Sequence, residues 1–179
     1  MQIDELQAVF RCCPCCGAEQ VVISGDHRIY CSACGFEYFH NVATAVGALI
    51  LTREGLLLLE RAKDPARGKL ALPGGFVDPG ESLEEALSRE CMEEIGWKAE
   101  LHRMEYLCSF PNTYRYKDIL YHTCDMFFLF RQDSLDITML YSDPTEVTSL
   151  SLIPLEKLQL EDLAFESTRK VIELLIKTY

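Results

Sequence analysis

Residues Gly75 to Trp97, GFVDPGESLEEALSRECMEEIGW, constrain this chain more than any other stretch. Ser82-Leu83-Glu84-Glu85 is a capping box, in which the serine hydroxyl accepts from an orphan N–H while Glu85 reaches back, so a helix starts at Ser82. Leu83, Leu87, Cys91 and Ile95 recur every four residues and predict its buried stripe. Gly96 stops it, because glycine tolerates the left-handed conformation just past a helix end. Glu90, Glu93 and Glu94, at i, i+3 and i+4, bring three carboxylates within reach of one another. Like charges so placed destabilise an isolated helix. A solvated acidic face is the commoner fate of a charge run. A hard divalent cation, which takes oxygen ligands, is the other way to compensate it.

The spacing decides between them. Gly75, five residues, Glu81, seven residues, Arg89-Glu90, Cys91, Met92, Glu93-Glu94, Ile95, Gly96 and Trp97 resemble the Nudix box, G-x5-E-x7-R-E-U-x-E-E-x-G-U, of the Nudix hydrolases. Every fixed position matches; the bulky aliphatic U positions hold Cys91 and Trp97. The resemblance implies an α/β/α sandwich around a mixed sheet, from about residue 42 to the end. It implies hydrolysis of a nucleoside diphosphate linked to another group, with Mg2+ or Mn2+ as cofactor. By the same carry-over Glu90, Glu93 and Glu94 are the metal ligands, and Gly75 lends a backbone carbonyl. Arg89 orients a glutamate, such as Glu85 or Glu90, and Glu81 sits where the helix dipole favours a carboxylate. The general base stays open between Glu94 and Glu146, since acids just before the last strand serve the metal centre in some relatives.

The 179 residues leave room for one domain of about 140 residues and a small module. Half the residues are apolar, enough for a core. A net charge of −11 argues against nucleic acid or anionic lipid as a partner. The longest apolar run, Val42 to Leu51, is half the ~20 residues a spanning helix needs. MQIDELQ is acidic where a secretory signal is basic, so a cytoplasmic protein is expected; homodimer formation is left open. Nine cysteines without such a signal point to metal or reduced thiols rather than disulfides.

Six of those cysteines fall in the first forty residues. Cys13-Pro14-Cys15-Cys16-Gly17 and Cys31-Ser32-Ala33-Cys34-Gly35 are two C-x-x-C-G knuckles fourteen residues apart, which suits a tetrathiolate zinc site. Cys12 and Cys15 offer a second register for the first knuckle. Cys13 and Cys16 are preferred, because a glycine then follows both knuckles and can turn amide N–H groups toward sulfur. Val21–Ile23 and Arg28–Tyr30 read as a hairpin. This segment, residues 1–39, resembles a zinc ribbon that serves as a metal staple.

The second domain, residues 40–179, opens with strands over Val42–Thr52 and Leu56–Glu60 around Arg53-Glu54-Gly55. A basic cluster from Arg61 to Lys69 precedes Leu72-Pro73-Gly74-Gly75, and its place suits a flank for a phosphate-bearing ligand. Lys98–Cys108 reads as a strand, Ser109–Lys117 as a turn-rich loop, Tyr121–Arg131 and Val147–Ile153 as strands, and Phe165–Lys177 as an amphipathic helix.

A zinc ribbon ahead of a Nudix domain resembles the NADH pyrophosphatases, which carry SQPWPFPxS after the box. Ser109-Phe110-Pro111-Asn112-Thr113 echoes it without the tryptophan. Pro111 resembles the proline of ADP-ribose pyrophosphatases, and Tyr114 a tyrosine of dinucleoside polyphosphate hydrolases. Tyr114 and Tyr116 are candidates to stack on a base. The expectation is an ADP-ribose-like substrate, with NADH, dinucleoside polyphosphates and a non-catalytic nucleotide-binding regulator as alternatives.

Overall fold

The computed structural model describes residues 6, 8–25, 27–117 and 119–178. Contacts divide the chain into two compact units, Met1–Ala43 with Thr113–His122, and Thr44–Asn112 with Thr123–Tyr179.

In the first unit β1 (Val21–Ser24), β2 (Arg28–Cys31) and β3 (Glu37–Phe39) form an antiparallel sheet. The predicted hairpin is β1 and β2; β3 is a strand the sequence did not announce. Val21, Ile23, Ile29 and Cys31 alternate inward onto Leu6 and Cys13, a core too small to hold a fold alone.

The second unit is built on a mixed sheet. The sheet's strands are β4 (Ala43–Leu51), β5 (Leu56–Arg61), β6 (Leu70–Ala71), β7 (Glu105–Tyr116), β8 (Ile119–Arg131) and β9 (Val147–Ile153), the Thr113–His122 part of β7 and β8 counting with the first unit. They lie in the order β6-β5-β4-β8-β7, and β9 also pairs with β5. The continuous apolar runs follow from burial of both faces. Leu57, Leu59, Phe128 and Phe130 point to one side, where they meet Ala86, Leu87, Cys91 and Ile95 of helix α1 (Leu83–Ile95). Leu56, Leu58, Phe127 and Leu129 point to the other, onto Val171, Ile172 and Leu175 of helix α2 (Glu166–Thr178). This is the expected α/β/α sandwich. Each fully buried leucine contributes about 1.5–3 kcal/mol of apolar burial.

Two expectations needed correction. The strand expected at Lys98 begins only at Glu105, after a 3-10 turn over Leu101–Arg103. Ser109–Lys117 is not a loop, because β7 runs through it to Tyr116. Proline at 111 misled that reading. β7 ends the sheet order, and an outermost strand tolerates a residue with no ladder donor. Among the described residues no helix is long and apolar enough to cross a membrane.

Candidate active site

Helix α1 carries its caps as the sequence requires. Ser82 Oγ accepts from the Glu85 N–H while the Glu85 carboxylate accepts from the Ser82 N–H, and Gly96 takes the left-handed conformation at φ 62°. With Glu85 so engaged, Arg89 turns elsewhere. Its guanidinium donates to both oxygens of Glu81 (2.8 and 2.9 Å), to Glu90 (2.8 Å), to Glu93 (3.1 Å) and to the Phe76 carbonyl (3.0 Å). The expected partner Glu90 is there, Glu85 is not, and Glu81 and Glu93 are additions. One guanidinium thus relieves much of the carboxylate repulsion that the i, i+3, i+4 spacing creates. The Glu81 carboxyl falls below the usual range, chiefly through that fork.

The Leu72–Val77 stretch lies along β4: Ala48 N–H donates to Pro73, Val46 N–H to Gly75 and Val77 N–H to Thr44 (2.8, 2.9 and 3.1 Å). This brings the Gly74 N–H to Glu94 Oε2 at 2.8 Å. Both glycines are needed for space. A Cβ on Gly74, which has φ 144°, would run into the Val46 carbonyl, and one on Gly75 would lie 2.6–2.8 Å from the Glu90 carboxylate. The Glu90 carboxylate therefore lies close against Gly75.

Glu94 is only 8% exposed. Burial raises its carboxyl to about 8; the Gly74 N–H opposes that shift, while the charges of Glu90 and Glu146 add to it. Glu90 is raised too, first by burial and against the pull of Arg89. Glu93 stands in the open at 60% side-chain exposure. Glu146 joins the group from the start of β9, where its carboxylate pairs with Lys63. The Gly75 carbonyl accepts from Val46, which leaves it one further lone pair. Glu90, Glu94 and Glu146 are oxygen donors suited to a hard cation.

The basic cluster is largely engaged. Lys63 holds Glu146, Lys69 Nζ donates to the Glu161 carbonyl (3.0 Å), and Arg61 Nε donates to the Pro65 carbonyl (2.9 Å) with its guanidinium 5.0 Å from the Phe165 ring centroid. Lys63 and Gly74 are site residues that the sequence named only as parts of a run. Tyr114 and Tyr116 lie on β7 within the stretch that belongs to the first unit; Lys117 Nζ is 5.3 Å from the Tyr116 ring centroid.

In the first unit the ligand atoms of Cys13, Cys16, Cys31 and Cys34 lie within 4.8 Å of one another, a set able to hold a metal ion. Sulfur separations are 3.7 Å for Cys13 to Cys34 and 3.8 Å for Cys16 to Cys31. Gly17 and Gly35 follow the two knuckles with matching φ of 74° and 75°, and the Cys15 N–H donates to the Cys13 sulfur at 3.4 Å. Cys12 and Cys15 are exposed and outside the set, whose four sulfurs are those of the Cys13 and Cys16 register.

The NUDIX domain profile matches residues 42–175. The chain belongs to this family. A NUDIX relative from Stutzerimonas stutzeri, named NAD-capped RNA hydrolase NudC, is 33% identical over 108 residues, which is 60% of this chain and 38% of that protein. The chain thus spans well under half of such curated relatives. The ADP-ribose pyrophosphatase of Methanocaldococcus jannaschii is 48% identical over 59 residues, 33% of this chain and 34% of that one. Among solved structures, a NUDIX hydrolase from Nitrosomonas europaea superposes with a TM-score of 0.64 at 26% identity, covering 89% of this chain and 86% of its own.

Proposed function

We propose that the chain is a divalent-cation-dependent hydrolase, cleaving the pyrophosphate of a nucleoside diphosphate linked to another group, with an ADP-ribose-like substrate preferred. The observation that carries this reading is the buried Glu94, held by the Gly74 N–H beside Glu90 and Glu146. A carboxylate so buried is costly unless a cation faces it. Glu90, Glu93 and Glu94 would hold Mg2+ or Mn2+, with the Gly75 carbonyl as a further oxygen. When bound, that ion neutralises phosphoryl charge and lowers the pKa of a water. The chain's own part is positional: Arg89 orients Glu90 and Glu93, and Gly74 fixes Glu94. Glu94 and Glu146 are the two candidates for the general base that would take a proton from water.

Domain 1–39 is a zinc ribbon in this reading and 40–179 the hydrolase domain. The sulfur separations support zinc at Cys13, Cys16, Cys31 and Cys34, because a tetrahedron with Zn–S of about 2.3 Å has edges of about 3.8 Å. Tyr114 and Tyr116 are offered as base-stacking residues. The acidic charge keeps nucleic acid and membrane out of the partner list, and the cytoplasm is the expected compartment.

Preference for ADP-ribose over NADH rests on the absence of a tryptophan from Ser109-Phe110-Pro111-Asn112-Thr113 and on the ADP-ribose pyrophosphatase relative. The second reading is a dinucleotide substrate, favoured by the longer alignment with proteins named NAD-capped RNA hydrolase. Competition between ADP-ribose and NADH in the presence of Mg2+ separates the two. The preference predicts a clearly higher kcat/KM for ADP-ribose; a higher value for NADH returns the chain to the second reading.

A further inference from the structure

We infer that Asp143 is a positioning residue that builds the turn presenting Glu146 to Glu90 and Glu94 and ties this turn to the end of α1. The inference rests on the reading of Glu146 as a member of the carboxylate centre.

Asp143 organises its surroundings from three atoms. Its Oδ1 accepts from the Thr145 N–H (2.8 Å) and from the Thr145 hydroxyl (2.7 Å). Its carbonyl accepts from the Glu146 N–H (3.0 Å) and the Val147 N–H (2.8 Å). Its own N–H donates to the Glu94 carbonyl at 3.3 Å. One residue therefore fixes the backbone on which Glu146 sits and links it to the residue whose carboxylate is the most buried in the centre. Glu90, Glu93 and Glu94 are placed by α1 itself; Glu146 arrives from a different element and needs such a link.

Neighbouring features make the placement specific. The Ala62 N–H donates to the Glu146 carbonyl at 2.8 Å, which fastens it to the end of β5. There the register slips: Glu60 pairs with Ser149 but Arg61 with Val147, so Thr148 is an extra residue. A bulge of this kind bends a strand end and re-aims a side chain. On the other side Tyr141, two residues before Asp143, lies close on the helix cap, since a Cβ on Gly96 would meet its atoms at 3.1–3.3 Å.

What Asp143 supplies is an acceptor oxygen in a fixed place. An asparagine amide oxygen can accept from Thr145 in the same way, whereas alanine cannot. Loss of the turn lets Glu146 swing and follow Lys63 outward, which removes it from the reacting centre without touching substrate binding.

The test uses the full chain with Mg2+, measuring kcat and KM for ADP-ribose and for NADH in D143A, D143N, E146Q and the double variant D143A/E146Q. E146Q is expected to lower kcat at least tenfold. D143A should lower it by a similar factor with KM within about twofold, and D143N should recover most of that loss. The double variant should be no slower than E146Q alone, because both changes remove one carboxylate from one place. If D143A fails to fold, Thr145→Ala replaces it, with an expected three- to tenfold loss in kcat. Wild-type kcat in D143A or in Thr145→Ala, losses that multiply in the double variant, or D143N as slow as D143A overturns the inference. Full turnover in E146Q beside a dead E94Q overturns it while the hydrolase reading stands. No turnover of either substrate by the wild type removes both.

Discussion

Arg89 grips Glu81 with both arms of its guanidinium, Nε to Oε1 at 2.8 Å and Nη2 to Oε2 at 2.9 Å. The fork spans the loop and the helix that together form the carboxylate centre, and the remaining Nη1 reaches Glu90 and Glu93. Lysine cannot reproduce a planar two-armed contact. Arg89→Lys should therefore cost about 1–3 kcal/mol of stability and lower kcat at least tenfold, since Glu90 and Glu93 lose their shared donor. Thermal unfolding and steady-state kinetics on the same preparation check both; a variant with unchanged kcat contradicts the positioning role.

Glu94 sets the pH dependence. Its carboxyl is raised to about 8 in the folded chain from about 4.3 in an unfolded one. Between these values the native state binds more protons than the unfolded state, so stability falls as pH rises. The cost is fully present above pH 8 and absent below about pH 4. Each unit is worth about 1.4 kcal/mol, so the effect is a few kcal/mol. In EDTA the Tm should drop between pH 6 and 8.5, with a shallower drop in E94Q; saturating Mg2+ should restore most of the loss at pH 8.5. A wild-type Tm that rises over that interval refutes the assignment.

The ribbon makes a separate prediction. Purified protein should hold about one equivalent of zinc, as one tetrathiolate site requires. Cys31→Ser with Cys34→Ser should abolish it, while Cys12→Ser should leave it intact, because Cys12 lies outside the sulfur cluster. Zinc that survives the double substitution, or departs with Cys12→Ser, contradicts the ligand set.

What the sequence disclosed follows the range of the interactions involved. Helix α1 was legible to its caps, because Ser82, Glu85 and Gly96 act on their near neighbours. The cysteine register was legible because Gly17 and Gly35 must turn each knuckle. The sandwich was legible through the resemblance that Gly75–Trp97 carries, and Leu56–Leu59 and Phe127–Phe130 show its physical basis, since their unbroken apolar runs are covered on both faces. Of the partners of Arg89, Glu90 was legible beside it but Glu81 was not, since it lies eight residues away and only the folded loop brings it back. Nor was the approach of Gly74 to Glu94 or of Asp143 to the end of α1, which depend on contacts across the sheet. The second half of β7, from Ser109 on, was lost to Pro111, whose cost vanishes on an outermost strand.

The most direct test of the account is Mg2+-dependent release of AMP from ADP-ribose by the wild type, E93Q and E94Q, each first shown to be folded. The account predicts turnover by the wild type that disappears in EDTA. It predicts kcat losses of at least a hundredfold in both variants, because each removes a ligand to the ion that carries the phosphoryl charge. Near-normal turnover in E93Q and E94Q, or hydrolysis that persists without a divalent cation, would contradict it.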